Sequence, residues 1–233
     1  MVALSKTLGK MSQKKIECYI DCVSPFSFFA LSYLRQNRKA LTDSDVSVEF
    51  IPVFLGGINV GSGNKPPWTL PAKALYAKYD GPRAQKYFGK SFKIPPFFPI
   101  LSLLPQRCLV YAKKQYPEKY EDFFESCFET MWNGQLDISK PENLLIAARK
   151  VFDEAQAQEI LKGGNDPGIK KTLADNTEHA VKALGAFGCP WFWVHDGKGN
   201  AEPFFGSDRF HFMWDYLDIP HRDLELMSAP AKL

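Results

Sequence analysis

The sequence predicts an α/β fold in which a block of helices separates a βαβ half from a ββα half. Three observations carry this reading. Two segments near the start, residues 16–21 and 46–54, have strand character and flank a helical stretch. Strand character is then almost absent from residues 72–184. It returns at residues 191–195 and 201–205, ahead of a short final helix. The resulting divisions are 12–71 for the βαβ half, 72–184 for the inserted helical domain and 185–223 for the ββα half, with flexible ends at 1–11 and 224–233.

Residues 16–21 (IECYID) mix β-branched and aromatic side chains, as strands do. Ser24-Pro25 follows, a preferred N-cap and then the residue best suited to the first helical position. Over residues 26–37, Phe28, Leu31 and Leu34 recur at three-residue spacing, and Phe29 and Tyr33 widen the apolar stripe. In residues 46–54, Val46, Val48 and Phe50 alternate with Ser47 and Glu49, the period of a strand. Strand, helix and strand of these lengths make a parallel βαβ unit. Residues 55–71, rich in Gly, Pro, Asn and Ser, are predicted as a long loop, and loops of that length are often functional.

In the insert, helices are expected over residues 106–115 and 118–132. Ser139-Lys140-Pro141-Glu142 has the form of a capping box opening a helix to about residue 152. Another helix spans 153–161, closed by Gly163-Gly164, and Asp166-Pro167 starts one that ends near residue 185. Phe97, Phe98, Phe123, Phe124 and Phe128 are assigned to the core. Asp196-Gly197 marks a hairpin between the last two strands. Gly206-Ser207-Asp208 is expected to cap the final helix, about 209–217.

Composition narrows the function. The chain has 233 residues, 45% hydrophobic and 24% charged, with net charge +3. That balance excludes a nucleic-acid-binding stripe and a polybasic membrane patch. No apolar run approaches the roughly 18 residues of a membrane span. The five cysteines, Cys18, Cys22, Cys108, Cys127 and Cys189, include no Cys-x-x-Cys pair, which points to free thiols in a reducing compartment. The four histidines show no metal-ligand spacing, and no metal is assigned. The first fifteen residues carry five positive charges, counting the amino terminus, and no acid. They read as a disordered start in preference to a transit peptide, with Met11 an alternative initiator. Ala231-Lys232-Leu233 is one step from the Ser-Lys-Leu peroxisomal address, so a peroxisome is the expected location, with mitochondrion and cytoplasm as alternatives.

The chemistry centres on Ser24-Pro25-Phe26-Ser27, directly after the first strand. A βαβ unit facing a ββα unit is the thioredoxin architecture, and there this turn bears the reactive Cys-x-x-Cys. Here serine stands at both ends, so no disulfide chemistry runs through the motif. The helix N-terminus still favours an anion at the same spot. A site that favours a thiolate but has no sulfur of its own suggests a bound thiol, and glutathione is the candidate. Gly188-Cys189-Pro190 precedes the third strand, where such folds carry a cis proline beside an edge that pairs with extended peptides. Ser207-Asp208-Arg209 opens the last helix, a place for a carboxylate and, at Asp208, for an amino group. Asn64 and Lys73 are candidates to hold the remaining carboxylate. The competing readings are a helix cap for Ser24, a turn residue for Asn64 and a solvated charge for Lys73. Cys22 and Cys189 read as inert buried thiols. Asp21 is either a buried acid or a cap for the turn.

DCVSPFS, SGNKPP, GAFGCP and FFGSDR, in this order around a helical insert, resemble the kappa-class glutathione transferases. That family is related to the DsbA-type oxidoreductases and to bacterial 2-hydroxychromene-2-carboxylate isomerases, and the likeness spans about residues 15–217. The resemblance implies a DsbA-like thioredoxin fold and a homodimer that uses glutathione and a small electrophilic substrate. It implies Ser24 as the residue bonded to the glutathione sulfur. It further implies Asn64 and Lys73 as ligand contacts, the Cys189 backbone before a cis Pro190, and Ser207 and Asp208 at the γ-glutamyl end. Cys22 and Cys189 replace residues that are usually aliphatic, and the Trp191-Phe192-Trp193 run is unusually aromatic. These departures concern the acceptor more than the glutathione site. A glutathione transferase is the leading reading. The alternatives are a glutathione-dependent hydroxychromene-carboxylate isomerase using the same Ser24, and a non-catalytic peptide-binding or chaperone module that leaves Ser24 idle.

Overall fold

The computed structural model describes residues 12–222. Residues 1–11, Met11 included, and Ala231-Lys232-Leu233 lie outside them; Lys14 and Lys15, expected in a disordered start, instead stand in the first strand. Four strands form one sheet: β1 Lys14–Ile20, β2 Val46–Pro52, β3 Trp191–His195 and β4 Ala201–Phe205, in the order β2-β1-β3-β4. β2 runs parallel to β1, from Lys14 opposite Val46 to Ile20 opposite Pro52. β3 is antiparallel to β1, with Tyr19 opposite Trp191, and β4 is antiparallel to β3, with Trp191 opposite Phe205.

Alternation along β1 serves two cores. Ile16, Cys18 and Ile20 enter the main core on one face with Phe192 and Val194 of β3. Tyr19 and Trp191 face the other way, into a smaller core. Against the main face packs α1 Pro25–Gln36, whose Phe28, Leu31 and Leu34 are fully buried. A short helix, α2 Arg38–Asp43, leads into β2. The insert supplies α4 Pro71–Phe88, α5 Leu103–Gln115, α6 Pro117–Phe128, α7 Pro141–Ala148, α8 Glu154–Gly163 and α9 Pro167–Lys182, and α10 Phe210–Tyr216 ends the fold. Phe123, Phe124, Phe128 and Trp132 of the insert join the same main core as β1 and α1, and Phe97 and Phe98 pack against it half-buried. Arg38 of α2 meets the Glu121 carboxylate of α6 at 2.6 Å, and Arg35 of α1 pairs with Asp122 and Glu125.

Several local expectations are corrected. Residues 55–71 are not one loop: α3 Leu55–Ser62 is a helix despite its glycines, and Pro67–Thr69 forms a 3-10 turn. Packing overrides propensity here. A Cβ on Gly57 would lie 3.0 Å from the Thr177 Cγ2 of α9, and one on Gly61 would lie 3.1 Å from the Val181 Cγ1, so small residues let α3 lie close against α9. The capping box at Ser139 does not form. Ser139 donates both its hydroxyl and its N–H to the Asp137 carboxylate, and α7 starts from Lys140 without a side-chain cap and stops at Ala148. The box forms instead at Asp153 and Gln156, opening α8. α6 ends at Phe128 and continues as a π-helical turn, Glu129–Asn133. α10 is capped by neither Ser207 nor Asp208; its N-cap is Arg209, with no side-chain bond.

Candidate active site

Three distant segments converge because β1, β3 and β4 share one end of the sheet. β1 finishes at Ile20 and the chain turns through Asp21 into Ser24, whose N–H donates to the Asp21 carbonyl at 3.0 Å. The pairing of Tyr19 with Trp191 sets that turn beside Cys189 and Pro190. The pairing of Trp191 with Phe205 sets Pro190 beside Gly206, whose N–H donates to the Pro190 carbonyl at 3.1 Å. Gly206 has φ +82°, and a Cβ there would lie 2.6 Å from Asp208 Oδ1, so only glycine suits this turn. The Cys189–Pro190 peptide is cis.

Ser24 is the N-cap of α1. Its Oγ accepts from the Ser27 N–H at 3.3 Å and donates to the Cys189 carbonyl at 3.1 Å. The cap reading of Ser24 therefore holds, and the same hydroxyl also reaches the backbone before Pro190. Pro25 occupies the first turn of α1, which holds no acidic residue, so the positive end of this 12-residue helix meets no carboxylate from its own first turn. The Ser27 hydroxyl is buried with no partner among the described residues.

A cleft of about 760 Å³ opens at this end of the sheet, reached by Cys189, Ser207 and Asp208 and walled by Phe26, Tyr33, Phe88, Phe210 and Trp214. The Ser207 hydroxyl is buried and lacks a hydrogen-bond partner among the described residues, while Asp208 pairs with Arg209. Of the other sequence-predicted residues, Ser24 and Pro190 do not line the cleft; Ser24 bonds to Cys189, which does, and Pro190 follows it in the chain. Asn64 follows the left-handed Gly63 that ends α3, and its Nδ2 donates to the Phe187 carbonyl at 2.6 Å. It thus holds the loop before Cys189. Lys73 lies exposed in the first turn of α4 with no hydrogen bond or ion pair among the described residues, and it does not line the cleft.

The thiols near the site are not poised to react. Burial pushes the Cys22 thiol well above its usual range, and does the same to Cys189. Asp21 is both of the things its position allowed. It is fully buried, and its carboxylate accepts from the N–H groups of Val23 (3.0 Å) and Leu55 (2.8 Å) and from the Ser102 hydroxyl (2.7 Å). Burial raises its carboxyl to about 6, opposed by those hydrogen bonds.

The supporting groups from the insert escaped the sequence reading. Gln106 donates to the Ile20 and Val53 carbonyls at 2.9 and 2.7 Å and accepts from Cys22 N–H at 3.4 Å. Trp132 Nε1 donates to the Cys22 carbonyl at 3.0 Å. The signal was present in Ser102 and Gln106, polar residues four apart on a helix that is otherwise apolar on its inner face.

The DSBA-like thioredoxin domain family matches residues 15–218. Glutathione S-transferase kappa 1 of Caenorhabditis elegans is 28% identical over 211 residues, covering 88% of this chain and 92% of its own length. That of Homo sapiens is 30% identical over 210 residues, covering 86% and 89%. Among solved structures, a 2-hydroxychromene-2-carboxylate isomerase superposes with a TM-score of 0.71 at 19% identity, over 88% of this chain and 94% of that one. The cytosolic disulfide reductase DsbM of Pseudomonas aeruginosa with GSH gives 0.58 at 13%, over 88% and 96%. At those identities the two structures speak for the fold alone. Together with the serine turn, the cis Cys189–Pro190 peptide and the helical insert, these matches place the chain in the DsbA-like thioredoxin domain family, on its kappa glutathione S-transferase branch.

Proposed function

We propose that this chain is a kappa-type glutathione transferase that activates the glutathione thiol at Ser24 for attack on a small electrophile. The observation that carries it is the Ser24 hydroxyl, standing where a redox relative has sulfur, at the positive end of α1 and facing the Cys189 carbonyl. The site also fits a small thiol peptide elsewhere, since the buried Ser207 hydroxyl lines the cleft with no partner of its own.

When bound, glutathione supplies the thiolate nucleophile. Ser24, with a hydroxyl pKa far above neutral, does not take the thiol proton. It donates a hydrogen bond to the sulfur, turning its one proton away from the Cys189 carbonyl. The Ser27 N–H on Ser24 Oγ keeps the hydroxyl in place and polarised. One charge-assisted bond and the helix N-terminus supply roughly 2–4 kcal/mol, about two to three pKa units. A thiol near 8.5 is then largely ionised at neutral pH. The Cys189 backbone before Pro190 pairs with the peptide, Ser207 and Asp208 hold its γ-glutamyl end, and exposed Lys73 takes a carboxylate. Asn64 acts by fixing the Phe187 loop. The aromatic wall of the cleft receives the electrophile.

Calorimetry with glutathione and conjugation of chlorodinitrobenzene test this reading. Ser24→Ala is expected to bind glutathione, to lower kcat/KM roughly 10²–10³-fold and to raise the bound thiol's pKa. An unchanged thiol pKa would overturn the role of Ser24, and absent glutathione binding would favour the peptide-binding module. Tight glutathione binding without conjugation would favour the isomerase.

The proposal extends to assembly and place. The chain is a homodimer through α4, an 18-residue helix with no buried residue and with Leu75, Tyr76 and Tyr79 exposed. Ala231-Lys232-Leu233 acts as a peroxisomal address where it stands at the free carboxylate. A fluorescent reporter ending in these residues enters peroxisomes; a mitochondrial or diffuse signal would refute the address.

A further inference from the structure

A second cleft, of about 500 Å³, lies between α3 and α9 and reaches the start of α5. It shares no lining residue with the first. Its walls are largely apolar, with Phe54, Leu103, Leu173 and Val181 on them. Arg107 enters this cleft from α5. Its Nε is buried with no hydrogen-bond partner, and the side chain forms no ion pair among the described residues. Other arginines do find carboxylates, as Arg38 meets Glu121 and Arg149 meets Glu154. Lys170 also lines the cleft, exposed and unpaired among the described residues. Lys182 lines it too, but is paired with Glu178, the one carboxylate among the lining residues. The cleft therefore presents excess positive charge above an apolar surface.

We infer that this cleft binds a small carboxylate carrying an apolar chain, with the carboxylate on the Arg107 guanidinium and the chain along Phe54, Leu173 and Val181. A guanidinium offers a planar fork that a carboxylate matches with two hydrogen bonds. A buried donor without a partner is costly, so the site favours an occupant that brings an acceptor. A neutral apolar ligand covers the wall and leaves Arg107 unpaired. A small inorganic anion pairs with Arg107 and leaves the apolar wall in water. The volume lies within the range of small-molecule pockets, roughly 300–1,000 Å³.

The full chain titrated with decanoate by calorimetry tests this, alongside decanol and with or without saturating glutathione. One decanoate per chain is expected, unaffected by glutathione, with decanol weaker by about tenfold or more. Arg107→Gln should weaken decanoate by about tenfold with glutathione affinity retained. Should Arg107→Gln fail to fold, Val60→Glu decides. Val60 lines the same cleft and is 86% exposed, so a carboxylate there leaves the fold intact and repels the ligand. Displacement by glutathione, wild-type decanoate affinity in both variants, equal binding of decanol, or no decanoate binding would each overturn the inference.

Discussion

Ser24 has one proton to donate, and in this structure it goes to the Cys189 carbonyl. The turn beneath it is held by Asp21, and that carboxyl has its own pH signature. Burial raises it from 3.8 to about 6. Between about pH 4 and pH 6 the folded chain keeps a proton that the unfolded chain has released. Stability from this group is thus complete below about pH 4 and is lost as pH rises through about 6. A shift of about two units corresponds to about 3 kcal/mol. In denaturant melts from about pH 4 to about pH 7, the wild type should lose that much relative to Asp21→Asn, which has no such proton. Parallel curves would show that Asp21 does not titrate there. At this scale the sequence located Ser24 and Asp21 but not the partners Ser102, Gln106 and Trp132. Those lie about 80 to 110 residues away, and a buried backbone acceptor such as the Ile20 carbonyl leaves no mark in sequence.

Among the elements, α3 shows where local rules lose. Gly56, Gly57 and Gly61 disfavour a helix by roughly 1 kcal/mol each, and the sequence reads as a loop. The helix exists because Leu55 N–H meets Asp21 and because the glycines admit Thr177 and Val181 of α9. Filling Gly57 tests this. On propensity alone Gly57→Leu would stabilise, but overpacking against Thr177 should instead cost roughly 1–3 kcal/mol in urea melts. Because α3 leads into Asn64 and the Phe187 loop, glutathione affinity should fall with it. A more stable variant would mean that α3 has room to spare. Elements set by their own residues were legible: α1 from its cap and stripe, β3 and β4 from their composition and turn, α8 from the glycines that close it and α9 from Asp166.

For the whole molecule, one core joins the sheet to the insert, and α4 meets it through Phe88 at its end, with no residue of its own fully buried. Leu75 and Tyr79, four residues apart, share a face of that helix. Light scattering is expected to give twice the 26.4 kDa chain mass, and Leu75→Glu with Tyr79→Glu to return it to the single-chain value. A wild-type monomer would refute the dimer. The order βαβ, helices, ββα was readable because each part carries its own periodicity. The sharing of one core by Ile16, Phe128 and Phe210 was not, since periodicity says which face is buried and not against what.

By itself the sequence determined the fold class, the serine turn, the proline loop and the branch of the family, because these rest on residue types at fixed short spacings. Only the tertiary structure decided that Ser24 bonds to Cys189, that Asn64 braces the Phe187 loop, that Ser207 is left without a partner beside the cleft, and that Arg107 enters a second one. Each of these depends on which strand ends and helix faces the register of the sheet brings together. That register is set by burial summed over the whole chain rather than by any segment alone.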